Sequence, residues 1–107
     1  MNLIPKLKGM HFLVHSTNIR NNALEGLEIK PKSELAKVAG PAILLPRVGN
    51  PMKNKMCLIQ KGETYVFPDC IMAIRFTDLR NAKILFKYLQ DNWDMVANLY
   101  MELVHAT

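Results

Sequence analysis

The residues best equipped for chemistry lie together at 47–55, Arg-Val-Gly-Asn-Pro-Met-Lys-Asn-Lys, between two apolar stretches. Arg47 carries a planar fork that matches O6 and N7 of guanine, and Asn50 carries an amide that can pair with the adenine edge. Lys53 and Lys55 supply ammonium groups that neutralise phosphate, and Asn54 adds a further amide. Gly49 lets the backbone turn tightly or pass close to a ligand. Strand, basic turn and strand together make a hairpin whose tip suits a polyanion. The plainer reading is a lysine-decorated loop that keeps the chain soluble.

A second dense set of donors and acceptors, His15-Ser16-Thr17-Asn18-Ile19-Arg20, follows directly on an apolar run. It reads either as a polar contact surface or as an Asx or Ser/Thr turn that satisfies its own backbone. Arg20 and Lys32 extend the cationic set available to phosphate. The charge is unevenly spread over the 107 residues and net +5. Residues 35–62 hold Lys37, Arg47, Lys53, Lys55 and Lys61 with no acid, so this segment equals the whole excess. Residues 88–107 hold Asp91, Asp94 and Glu102 with no Lys or Arg. A molecule with a basic end and an acidic end orients itself toward a polyanion.

Catalytic readings are weaker. His15-Ser16 with Asp69 lacks the strand–turn–helix setting of a nucleophile elbow. Cys57 and Cys70 do not have the spacing of a zinc knuckle, and both sit in apolar surroundings, so both are expected to be buried small hydrophobes. His11 and His15 would share one face of an extended strand, but no third ligand is near them in sequence. Neither metal nor cofactor is expected. No apolar run approaches the length of a membrane span and no secretory signal core is evident, so a cytoplasmic protein with no membrane partner is expected.

The elements that must position these groups are short. Residues 1–9 form a loose leading segment and residues 10–14 an apolar strand. Asn21-Asn22 marks a turn, because Asn tolerates left-handed backbone angles. Residues 27–30 alternate with period two and read as a strand ended by Pro31. Residues 33–38 read as one helical turn capped by Ser33. Residues 42–48 read as a strand, and Pro46 inside it places it at a sheet edge or at a bulge. Residues 55–60 and 64–67 read as strands joined by a Lys61-Gly62-Glu63 turn, and 70–76 is apolar enough for the middle of a sheet. The period then changes. Thr77 is expected to cap a helix carrying Leu79, Ala82, Leu85, Phe86 and Leu89 on one face. Gln90-Asp91-Asn92 interrupts it, and Trp93, Val96, Ala97, Tyr100, Leu103 and Val104 form the stripe of a second helix. The expectation is a single α+β domain over residues 1–107: a small, mostly antiparallel sheet of four to six short strands, open or partly closed, followed by two C-terminal helices.

Three segments, Ser16-Thr-Asn-Ile-Arg20, Leu45-Pro-Arg-Val-Gly-Asn50 and Asp69-Cys-Ile-Met-Ala-Ile-Arg75, stand in an order that resembles the target recognition domains of type I restriction-modification specificity subunits. The C-terminal specificity domains of related adenine-N6 DNA methyltransferases are similar to it in the same way. The resemblance covers roughly residues 10–100. It implies a bacterial module that reads duplex DNA without catalysis, partnered by a DNA methyltransferase or restriction subunit. Asn50-Pro51-Met52 lacks the second proline and the aromatic of the base-holding methyltransferase motif, and no Gly-rich cofactor loop follows any strand. The methyltransferase domains often continue into a Gly-Thr-Gly-like turn; here Tyr100-Met-Glu-Leu-Val-His-Ala-Thr107 stands instead. Nor is there a long helix to serve as a coiled-coil spacer between two recognition domains. No enzymatic activity is expected. A homodimer would double the few base pairs that one small module reads. The rival expectation is an adaptor that docks onto a protein through the acidic, aromatic C-terminal helices, and a third is an orphan mobile-element protein.

Overall fold

The computed structural model describes residues 10–31, 36–47 and 52–105. Among them the chain runs through β1 (Met10–Leu13), a 3-10 turn at Ser16–Asn18, β2 (Ile19–Arg20), β3 (Ala23–Leu24), β4 (Glu28–Pro31) and β5 (Ala36–Ala39). It continues through β6 (Ala42–Pro46), a second 3-10 turn at Lys53–Lys55, β7 (Cys57–Ile59), β8 (Thr64–Phe67) and β9 (Ile71–Arg75). Two helices follow, α1 (Leu79–Asp91) and α2 (Trp93–His105). One sheet has the order β4-β1-β8-β5, with β1 and β8 parallel and the other neighbours antiparallel. A second, antiparallel throughout, has the order β7-β6-β9, and β2 and β3 form a hairpin of their own. This is the α+β arrangement expected, divided between two sheets. No helix among the described residues is long and apolar enough to cross a membrane.

The apolar run Ala42-Ile43-Leu44-Leu45 explains the layering. Ala42 and Leu44 point into a core shared with Val14, Ile19, Val38, Tyr65 and Ile71, which ties the two sheets and the β2–β3 hairpin together. Ile43 and Leu45 point the other way and join Met56 under Leu85, Phe86, Leu89 and Trp93 of the helices. A strand buried on both faces reads as a continuous apolar run rather than an alternating one.

Pro46 therefore does not mark an edge strand: β6 is the central strand of its sheet. The pairing of β6 with β7 ends at Leu44 opposite Cys57, whereas its pairing with β9 continues to Pro46 opposite Ile71. Pro46 lies beyond the end of the β7 ladder, so its missing N–H costs no bond there. β9, expected in the middle of a sheet, is an edge, and β7 is shorter than expected because Lys53–Lys55 closes into a 3-10 turn.

Residues 36–38 are not helical. Ala36–Ala39 pairs along its length with β8, and Val38, opposite Tyr65, is buried. A single helical turn cannot repay its own nucleation, whereas a strand edge offers a ready ladder. Ser33 lies outside the described residues. Gly40 then carries the chain from one sheet to the other; its N–H donates to the Glu63 carbonyl at 2.8 Å, and a Cβ there would overlap the Gln60 carbonyl. Asp78, not Thr77, caps α1: its Oδ1 accepts the Arg80 N–H at 2.8 Å. A carboxylate in that position also complements the positive end of the helix dipole.

Leu44→Ala removes a fully buried side chain from the strand that both cores share, and should lower stability by roughly 2–5 kcal/mol. Urea unfolding measures this, and a loss of only a few tenths would contradict the two-sided burial of β6.

Candidate nucleic-acid interface

The two loops singled out for their chemistry are far apart in sequence and meet in the fold. β2 and β3 are joined by Asn21 and Asn22, both with left-handed backbone angles (φ 52° and 63°). This is the two-residue hairpin connection whose twist suits strand pairing, and Asn is among the few residues that adopt it readily. The tip of the hairpin rests on the Lys53–Lys55 turn. The backbone N–H of Asn22 donates to the Asn54 carbonyl at 2.9 Å. Its side-chain Nδ2 donates to the carbonyls of Lys53 and Met56, each at 2.8 Å.

Two further contacts hold the same turn. Lys55 Nζ donates to the Ser16 carbonyl at 3.3 Å, and Gln90 Nε2 reaches from α1 to the Lys53 carbonyl at 3.1 Å. With the carbonyls of the turn engaged inward, Lys53 and Asn54 lie exposed on the outside. Lys55 is half-buried, so part of its role is to tie the loops together. An ammonium has three donors, and one bond to Ser16 leaves capacity for a phosphate.

The first loop is ordered by Asn18. Its Oδ1 accepts the His15 N–H at 2.8 Å, and its Nδ2 donates to the carbonyls of Glu25 and Gly26 at 2.9 and 3.1 Å. This is the self-satisfying turn that was one of the two readings of the segment, and it presents Thr17 and Arg20 to solvent. Arg20 Nε donates to the Thr17 carbonyl at 2.9 Å, and its guanidinium lies 3.8 Å from Glu25 Oε1, both side chains about half exposed. An exposed pair of that length contributes little and yields to a stronger anion.

Arg47 is exposed at the end of β6, where its backbone N–H donates to the Cys70 carbonyl at 2.7 Å. Because Leu44 pairs with Cys57, Arg47 and the Lys53–Lys55 turn leave the sheet at the same end of the β6–β7 hairpin. Asn50 and Lys32 lie outside the described residues. Ser16, Thr17, Arg20, Lys53, Asn54 and Lys55 thus belong to one pair of docked loops, with Arg47 at the root of the second.

A groove between the β2–β3 hairpin and β7 is lined in part by Leu24, Leu27, Cys57, Glu63 and Tyr65. Glu63 accepts from the Tyr65 hydroxyl at 3.1 Å and from the Gln60 N–H at 2.6 Å. Burial, reinforced by the Glu63 charge, pushes the Cys57 thiol up to about 11. The same burial, with the charge and hydrogen bond of Glu63, raises the Tyr65 phenol. At neutral pH Cys57 is a protonated thiol and not a nucleophile. Cys70 is half-exposed rather than buried, because it follows the Pro68-Asp69 corner; its Sγ lies 4.0 Å from His15 Nδ1.

No family model, curated protein or solved structure matches the chain. The site therefore stands on its own geometry.

Asn22→Gly keeps the left-handed backbone and removes only the side-chain bonds to Lys53 and Met56. It should cost roughly 1–3 kcal/mol, because two carbonyls lose a partner, while Asn21→Gly at the exposed neighbouring position should change stability by about 0.5 kcal/mol or less. Urea denaturation of the two variants separates them.

The folded thiol of Cys57 holds its proton more tightly than the unfolded one, so its contribution to stability is complete below about pH 9 and is lost as the pH rises toward 11. Thiol titration at pH 8 should find Cys70 reactive in the native protein and Cys57 reactive only after unfolding. Equal rates for both would contradict the burial of Cys57.

Proposed function

We propose that the chain is a non-catalytic, target-recognition-like module that binds duplex DNA through the 15–22 and 47–55 loops. The observation that carries this reading is the docking of the two loops by Asn22. It joins the polar turn after β1 to the most basic segment of the chain, and leaves Arg20, Arg47 and Lys53 exposed. A turn held by hydrogen bonds to a hairpin tip and a helix, as Lys53–Lys55 is, presents its cations without a large ordering cost on binding.

In this reading Arg47 and Asn50 touch bases. Lys53, Lys55, Lys32 and Arg20 touch phosphates, and Ser16, Thr17 and Asn54 add polar contacts to the backbone or base edges. Of the acids of the chain's last part, Asp91 and Asp94 line one surface pocket together with Lys53, and Glu102 lies further along α2. The cationic loops would steer the molecule onto DNA, and affinity would fall steeply with salt. A link to a restriction or methyltransferase subunit belongs to the same reading.

Fluorescence anisotropy on random-sequence duplex DNA across a salt series tests it. Micromolar binding that weakens steeply with salt is expected. Lys53→Ala should weaken all sequences alike and reduce the salt slope by about one. Arg47→Ala should relax the preference for a selected site. No binding at low salt would overturn the reading, and equal loss on selected and random DNA in Arg47→Ala would remove direct readout by that residue.

A further inference from the structure

Trp93, the one tryptophan of the chain, opens α2 beside the Lys53–Lys55 turn. It packs on the core of Ile43, Leu45 and Met56 and is half-buried there. What remains of it lines two adjoining surface hollows, which have Lys53, Gln90 and Trp93 in common. The larger, of about 530 Å³, is completed by Asn22, Met52 and Asn54. The smaller, of about 390 Å³, runs along Asp91 and Asp94 at the joint of the helices. One atom ties the walls together: the Lys53 carbonyl accepts Asn22 Nδ2 at 2.8 Å and Gln90 Nε2 at 3.1 Å. The larger hollow is therefore shaped by the same bonds that dock the two loops.

The two hollows differ in chemistry. The larger offers an aromatic and a thioether, with Met52 50% exposed, and carries an exposed ammonium, Lys53, and an exposed amide, Asn54. A π surface takes the face of a nucleobase, an amide takes its edge, and an ammonium takes the phosphate beside it. The smaller hollow carries two carboxylates, which repel phosphate. A nucleic-acid backbone that reaches Lys53 is thus turned away from the helix joint, and the arrangement suits a single nucleotide rather than a continuing strand. A base inside an intact duplex has both faces covered by its neighbours, so a base that reaches Trp93 has left the stack.

We propose that the hollow lined by Met52 and Trp93 receives one unpaired base of the bound nucleic acid, with the adjoining phosphate on Lys53. The inference rests on the reading of the loops as a DNA surface and adds what that surface prefers: a duplex with one extrahelical nucleotide. Trp93 and Met52 take the face of the base, and the Asn54 amide meets its edge. The bonds from Asn22 and Gln90 to the Lys53 carbonyl fix the walls before the base arrives. Walls already in place spare the ordering cost of a loop that has to close over its ligand.

Three duplexes of one sequence test it with the full chain: fully paired, with one bulged adenine, and with one bulged abasic residue. The abasic bulge keeps the extra phosphate and the bend but has no base. Anisotropy reads affinity, and because Trp93 is the one tryptophan, its fluorescence reads this site alone. The adenine bulge should bind roughly tenfold tighter than the abasic bulge, the scale of one base–aromatic contact, and should quench Trp93. Trp93 also packs on the core, so Met52→Ala, at an exposed position, carries the variant arm; checked for folding by circular dichroism, it should lose most of that preference. Equal affinity for the two bulges, a preference without a change in Trp93 fluorescence, or a preference undiminished in Met52→Ala would overturn the proposal. Salt-sensitive binding of the paired duplex alongside any of these leaves the reading of the loops as a duplex surface standing. No binding of any of the three at low salt overturns both.

Discussion

The burial of β6 on both faces is the constraint on which the rest of the molecule depends. Ala42 and Leu44 face the four-stranded sheet, and Ile43 and Leu45 face the helices, so one five-residue strand belongs to both cores. A small domain with two thin cores gains from sharing a strand, because neither core alone buries enough apolar surface to offset the entropy of ordering the chain. The partners of β6 follow from that. β7 and β9 flank it, α1 lies across its outer face, and Gly40 allows the chain to pass close to the Gln60 carbonyl on its way in.

The polar loops are consequences of that frame. Where β6 and β7 stop pairing, the chain has to return across the end of a buried strand, and the backbone carbonyls of the returning turn need donors. Asn22 supplies three of the bonds, two from its side chain and one from its backbone, and Gln90 supplies a fourth from α1. The 53–55 turn is thereby anchored to a second hairpin and to a helix, and the Lys55 side chain adds a bond to the Ser16 carbonyl. Rigid support of exposed cations is what the proposed recognition role asks of a small scaffold.

The helices show the same economy on the other side. α1 has one face on the β6 core and one outside, as its period requires. α2 reaches the same core through Trp93.

Much of this was legible in the residues. The α+β order, the Asn21-Asn22 turn, the strand at Thr64–Phe67 and the inward face of α1 followed from period and turn chemistry, because these are properties of neighbours in sequence. So did the basic character of 47–55 and the polar character of 15–20. The errors share one origin. Pro46 was read as a sign of an edge or a bulge, residues 36–38 as part of a helical turn and Cys70 as buried, and each depended on how distant segments pack around it. The shared strand β6 and the docking of Asn22 onto a turn 31 residues away were decided only by the tertiary structure. Local sequence sets what a segment can become; which carbonyl an amide finds, and which face stays dry, depends on distant segments brought together by burial.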